Sequence, residues 1–219
     1  MYKLYYQPGW SSMAPHFLLA EMGVEFQLKL VDVEAKEHKS PDFLKLNPTG
    51  RIPVLTDDSL ALFESAAICL YVCDKEPKTH MMPEVGTVER AKCYQWLAYL
   101  NSTVQTEMDM LFYPNNHTTD ATSAPAIAER QEQRLMAMFE ILDNELAQQN
   151  YLQQNYLVGD KMTVCDCFLL MLVMWGHEEF KVSPLTMPNL SRFFKNIIQK
   201  QSVQAVCEVE QLDLNDYVV

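Results

Sequence analysis

The stretch Tyr6-Gln7-Pro8-Gly9-Trp10-Ser11-Ser12 runs from the end of a β-rich segment into the start of a helix. A thiol placed there could be held as thiolate by a hydroxyl and by the partial positive charge of the helix end. Lowering a thiol pKa by about two units takes roughly 2.7 kcal/mol. One hydrogen bond to a charged group contributes about 1.5–3 kcal/mol, and the helix end up to about 1 more. Neither a metal nor a general base is required. Capping alone accounts more simply for either serine taken singly.

Two further stretches offer complementary contacts. In Asn47-Pro48-Thr49-Gly50-Arg51-Ile52-Pro53-Val54-Leu55, a proline entering a strand cannot donate to the ladder, so it belongs at an edge or a strand start. A cis Ile52-Pro53 bond would turn the Ile52 backbone outward, where its N–H and C=O could pair with an extended peptide. The local sequence by itself favours an ordinary trans proline in a loop. In Phe63-Glu64-Ser65-Ala66-Ala67-Ile68, Ser65 and the amides behind it form a helix N-terminus, which attracts a carboxylate. Glu64 accepts from an ammonium, so the two suit a free α-amino acid end. A serine cap beside a solvated glutamate fits as well.

These segments need a frame. Lys3 to Tyr6 is a short β-rich run stopped by Pro8-Gly9. Ser11 and Ser12 offer N-cap hydroxyls for a helix through Met22, with Gly23 as its stop. Phe26 to Val33 alternates as a second strand, and Ser40-Pro41 opens a short helix ending near Asn47-Pro48. Val54 to Thr56 and Leu60 to Phe63 read as a hairpin, and Ser65 to Lys75 as a closing helix. The order, β-α-β, short helix, β-β-α, is that of a thioredoxin-like α/β domain over residues 1–77.

Residues 78–87 read as the core of a Pro- and Gly-bearing linker, and 88–219 as an all-helical domain. Val88 to Leu111 and Ala124 to Gln149 are long helix candidates, joined by the loop from Tyr113 to Ser123. Thr163-Val164-Cys165-Asp166 has the form of a capping box at the head of a helix apolar on every side, with Asp166 holding a buried helix end. Asn189 to Lys200 and Ser202 to Val209 are shorter helices before a polar tail.

Composition limits the function. A chain of 219 residues with 48% hydrophobic and 21% charged residues buries a real core. A net charge of -12 argues against nucleic acid and anionic membrane surfaces, which need a basic face. No apolar signal core opens the chain and no run is long enough to span a bilayer, so the expectation is a cytoplasmic protein. The cysteines Cys69, Cys73, Cys93, Cys165, Cys167 and Cys207 contain no C-x-x-C pair and no zinc-finger spacing, and read as buried, reduced thiols. Cys93, beside the domain junction, is the one placed for reactivity.

Taken together, the chain resembles the glutathione transferases, and the bacterial beta class most closely. The resemblance rests on Leu4-Tyr5-Tyr6-x-Pro8-Gly9 with Ala14-Pro15-His16, on Asn47-Pro48-x-Gly50-x-Ile52-Pro53-x-Leu55, on Glu64-Ser65-x-Ala67-Ile68-x-x-Tyr71, and on Thr163-x-x-Asp166. It implies a cis Ile52-Pro53 bond, glutathione bound by the Ile52 backbone with Pro53 and by Glu64 and Ser65, and a homodimer. Glutathione enters as co-substrate, with no cofactor and no metal. Lys36 matches a lysine that helps bind glutathione in some relatives; a solvated lysine fits nearly as well.

The chain also departs from that class. The position of its usual cysteine is Ser11, its Trp-Leu-Asn-Phe is Trp96-Leu97-Ala98-Tyr99, and its His-Lys is Gln105-Thr106. Mixed-disulfide chemistry is therefore not expected. The remaining sulfur partners are Ser11, as in serine-type relatives, then Tyr6, as in tyrosine-type ones, and Ser12. The expected reaction is conjugation of glutathione to a hydrophobic electrophile, with Trp10, Phe112, Tyr113 and Trp175 as candidates for lining its pocket. The rival reading is a non-catalytic protein of the same fold that binds glutathione or a hydrophobic ligand; a glutathione-dependent reductase or peroxidase would want the cysteine.

Overall fold

The computed structural model describes residues 1–151 and 155–217. Strand β1 (Tyr2–Tyr6) turns Tyr2 and Leu4 inward between more exposed neighbours, the period-two pattern of a strand. Helix α1 (Met13–Met22) follows and buries Met13 through Leu19. Pro15 is tolerated because it stands in the first turn, where a backbone N–H has no intrahelical partner. Gly23, at φ 64°, closes the helix by donating its N–H to the Ala20 carbonyl, as the sequence predicts.

The chain returns as β2 (Phe26–Leu30), parallel to β1 with Leu28 opposite Leu4. It stops short of the expected Val33. Asp32 causes this: its carboxylate accepts from the Ala35 N–H at 2.8 Å while its own N–H goes to Glu37 at 2.8 Å, which turns the backbone away from the strand direction. Helix α2 (Pro41–Leu46) starts at Ser40, whose hydroxyl accepts from the Phe43 N–H. Strands β3 (Val54–Asp57) and β4 (Leu60–Phe63) complete a mixed sheet of order β2-β1-β3-β4, and helix α3 (Ser65–Lys75) covers the predicted span. Asp57 anchors α3 to the sheet by accepting from Tyr71 and Lys75, and the Lys75 ammonium holds its carboxyl below the usual range.

The described chain divides into two compact units, one of Met1–Met82 with the segment that begins at Ile197, the other of Pro83–Asn196. In the second unit, α4 (Val88–Ala98) and α5 (Gln105–Phe112) form the predicted long helix, but a π-helical segment, Tyr99–Val104, lies between them. It is followed by α6 (Ala124–Tyr151), α7 (Val164–Glu179) and α8 (Pro188–Ile197). Helix α7 is buried from Val164 to Met174, and each large apolar side chain so placed contributes about 1.5–3 kcal/mol. Its capping box forms as predicted. Asp166 accepts from the Thr163 N–H at 2.7 Å, the Thr163 hydroxyl at 3.0 Å and the Leu157 N–H at 2.8 Å. Helix α9 (Gln201–Val209) belongs to the first unit and packs on α1. Among the described residues no helix is long and apolar enough to cross a membrane.

Candidate active site

The three segments that the sequence singles out meet at Ser11. Its hydroxyl donates to the Ile52 carbonyl at 3.0 Å, and its own carbonyl accepts from the Ser65 hydroxyl at 2.9 Å. Residues 41 and 54 positions away are thus joined through one serine in the turn before α1. The Ile52-Pro53 bond is cis. The Ile52 side chain packs in a core with Val31, Phe43 and Val54, and Pro53 stands directly before β3, where no ladder donor is needed.

Ser12 does something different from its neighbour, and different from the expected cap. It is the residue before α1, yet its hydroxyl makes no cap bond. It is fully buried, donates to the Gln7 carbonyl at 3.1 Å and accepts from the Gln7 N–H at 3.3 Å. With its proton and a lone pair so used, Ser12 staples the turn shut. Ser11 keeps the half-exposed hydroxyl.

Tyr6, at the end of β1, sits against a buried polar network. The His16 Nδ1 lies 2.6 Å from a Glu210 carboxylate oxygen, and the other oxygen accepts from the Gly9 N–H at 3.0 Å. Both side chains are almost wholly covered, and the imidazole packs edge-on to Tyr6 and Phe26. A buried carboxylate must be fully bonded to be tolerated. Here its bonds fasten the Tyr6–Ser12 turn to the end of α9. Burial, helped by the Glu210 charge, raises the Tyr6 phenol above its usual pKa, so Tyr6 stays a neutral hydroxyl at physiological pH.

Glu64 and Ser65 open α3, but with roles other than cap and neighbour. Glu64 occupies the cap position without a side-chain cap bond, is exposed, and has φ 72° and ψ 113°. A glutamate held at such a φ costs about 1–3 kcal/mol, the kind of strain that persists where a side chain is being aimed. Ser65 is buried and spends its hydroxyl on the Ser11 carbonyl rather than on an α3 amide.

The clamp loop has supports that sequence reasoning missed. Asn47 donates its side-chain amide to the Arg51 carbonyl at 2.7 Å and accepts from the Thr49 N–H at 3.0 Å. Lys36 is exposed at left-handed φ 57°, at the head of a 3₁₀ turn, Glu37–Lys39. It is Lys39, three residues on, that reaches the loop and donates to the Gly50 carbonyl at 2.6 Å. Gly50 has φ 61°, and a Cβ there would come within 2.9 Å of the Lys39 ammonium and 3.0 Å of the His38 carbonyl. Gly50→Ala is therefore expected to lower stability by about 1–2 kcal/mol from the left-handed backbone alone. It should also weaken whatever the Ile52 backbone holds; urea unfolding and ligand titration of the same variant check both.

The expected pocket aromatics divide between the units. Trp10, 38% exposed, stands beside Ser11 in the first. In the second, Phe112 lies edge-on to Trp175 at 5.8 Å and to Tyr113 at 6.5 Å, which makes an aromatic cluster at the end of α5.

Comparison with known proteins agrees with this frame. Residues 1–74 match the family model described as glutathione S-transferase, N-terminal domain, and residues 103–201 match glutathione S-transferase, C-terminal domain. A glutathione S-transferase of Xanthomonas campestris pv. campestris is 30% identical over 211 residues, which span 96% of this chain and 100% of the relative. A beta-class enzyme of Sphingomonas chungbukensis superposes with a TM-score of 0.80 at 31% identity, covering 96% of this chain and 100% of that one. A sphingomonad glutathione S-transferase solved as a glutathione complex gives a TM-score of 0.80 at 29% identity, with 96% and 100% covered.

Proposed function

We propose, from the premise that this chain belongs to the glutathione S-transferase family and is a glutathione transferase, that it conjugates glutathione to a hydrophobic electrophile with Ser11 as the sulfur's hydrogen-bond donor. The observation that carries this reading is the convergence on Ser11 of the Ile52 carbonyl and the Ser65 hydroxyl. A peptide paired with the Ile52 backbone would have its thiol beside that serine.

In this reading the cysteinyl N–H and C=O of glutathione pair with the Ile52 backbone in strand-addition fashion, with Pro53 fixing the approach. The γ-glutamyl carboxylate takes the amides at the head of α3 near Ser65, and its ammonium takes Glu64. Lys36, on its exposed turn, offers a cation to the remaining carboxylate. The Ser11 proton then has two possible acceptors. A bond to a neutral carbonyl contributes about 0.5–1.5 kcal/mol net, one to a charged group about 1.5–3, so a thiolate draws the hydroxyl from Ile52. The carbonyl keeps a lone pair for the peptide N–H.

The thiolate attacks the electrophilic carbon, a carbon–sulfur bond forms, and the leaving group departs with its electron pair; holding both reactants in place supplies much of the rate. Phe112, Tyr113 and Trp175 offer the electrophile a face in the helical unit, and Trp10 is the exposed aromatic beside the sulfur site. The family's homodimeric assembly and a cytoplasmic setting belong to the same reading.

The frame is tested through Glu64. Glu64→Ala is expected to raise the glutathione dissociation constant about 10–100-fold, the value of one charge-assisted hydrogen bond, while leaving stability nearly unchanged, because the side chain is exposed and alanine keeps the Cβ that strains the backbone. Calorimetric titration with glutathione measures the first and urea unfolding the second. Unchanged affinity would remove Glu64 from the site. Wild-type protein that binds glutathione but turns over no chlorinated nitrobenzene would favour the ligand-binding alternative.

A further inference from the structure

We propose that Cys93 and Cys165 form a peroxide-reactive dithiol that closes to a disulfide between α4 and the head of α7. The described cysteines are all reduced and buried, and these two are in contact: their sulfurs lie 3.4 Å apart, and the Cys165 thiol also donates to the Cys93 carbonyl at 3.2 Å. They are 72 residues apart in sequence and stand on helices of the same unit.

The environment separates Cys93 from Cys69 and Cys207. Burial pushes the Cys69 thiol well above its usual range, and burial with the Glu210 charge pushes Cys207 up to about 12, so both remain unreactive thiols. Cys93 is shifted the other way, downward, chiefly by its hydrogen bond with Cys165 and further by Thr163. Burial keeps Cys165 protonated, and its one proton lies between the Cys93 carbonyl and the Cys93 sulfur. Cys93 is thus the more readily ionised of the two, and its partner sulfur stands 3.4 Å away.

Both side chains are closed off from solvent. That excludes a bulky disulfide such as oxidised glutathione as the oxidant and leaves a small neutral hydroperoxide. The Cys93 thiolate attacks one peroxide oxygen, the O–O bond breaks, and the departing hydroxide takes up a proton to give water and a sulfenic acid. The Cys165 sulfur then attacks the Cys93 sulfur, the S–O bond breaks, and a second water leaves. Two thiols and one hydrogen peroxide give one disulfide and two waters. This proposal does not depend on the assignment of Ser11.

The test is peptide mapping of the wild-type protein after hydrogen peroxide, with alkylation under denaturing conditions. The expected product is two hydrogens lighter, carries a Cys93–Cys165 linked peptide, and reverts with dithiothreitol. Closing so long a loop should raise the thermal midpoint by roughly 5–15 °C in the oxidised form. Cys93→Ser and Cys165→Ser should each abolish the linkage and keep wild-type conjugation activity. Should either variant fail to fold, the wild-type map still decides. Both thiols alkylating fully after peroxide, or Cys93 gaining oxygen without linkage, would overturn the proposal.

Discussion

Replacing Ser11 by alanine lowers kcat/KM for conjugation of glutathione to a chlorinated nitrobenzene by about 10–100-fold. The figure follows from the loss of one hydrogen bond to a charged sulfur, about 1.5–3 kcal/mol of transition-state and thiolate stabilisation. The loss should fall mainly on kcat, because the peptide clamps at Ile52, Glu64 and Ser65 do not involve the deleted hydroxyl's proton donation to sulfur. Ser12→Ala makes the contrasting control. It removes the staple to Gln7, made by a fully buried serine, and should cost about 1–3 kcal/mol of stability with a smaller change in kcat. Steady-state kinetics with urea unfolding on both variants separate the two serines.

Asp166→Ala unfolds the protein or makes it strongly temperature-sensitive. The carboxylate satisfies the Leu157 N–H, the Thr163 N–H and the Thr163 hydroxyl in a fully buried setting. Each donor left unpaired costs about 1–3 kcal/mol, against a total stability of about 5–15. Asp166→Asn is the subtler probe. Burial outweighs these hydrogen bonds and pushes the Asp166 carboxyl up to about 6. An acid with a raised folded pKa contributes stability that is fully present below its unfolded pKa and is lost as pH rises through the folded one. Between pH of about 4 and 6 the wild type should therefore lose roughly 3 kcal/mol relative to Asp166→Asn, which has no such titration. Urea unfolding of both proteins across that window measures the difference; parallel curves would contradict it.

Much of the first unit is legible in sequence because its signals are local. Gly23, Ser40-Pro41 and the Asn47–Leu55 segment act on their own backbone, and α3 follows from apolar spacing. What escapes is direction and distance. Ser11 and Ser12 are identical in type, and only the fold turns one toward Ile52 and the other into the turn. Lys36 and Lys39 differ in reach because Lys36 takes the left-handed position that opens the 3₁₀ turn.

His16 and Glu210 are 194 residues apart, so no spacing rule joins them. The available signal is chemical: an imidazole among the apolar residues of α1 needs a buried partner. The place of α9 against α1, and hence in the first unit, is likewise invisible in chain order. The π segment at Tyr99–Val104 interrupts a helical period that reads as unbroken.

The most direct test of the central claim is the pKa of the thiol in bound glutathione, read from thiolate absorbance across pH in wild type and Ser11→Ala. The account predicts that the wild-type complex ionises well below the free thiol's range, and that the variant's thiol pKa lies about 1–2 units higher than the wild type's. Equal pKa values in the two complexes would contradict it and pass the sulfur to another donor, Tyr6 first.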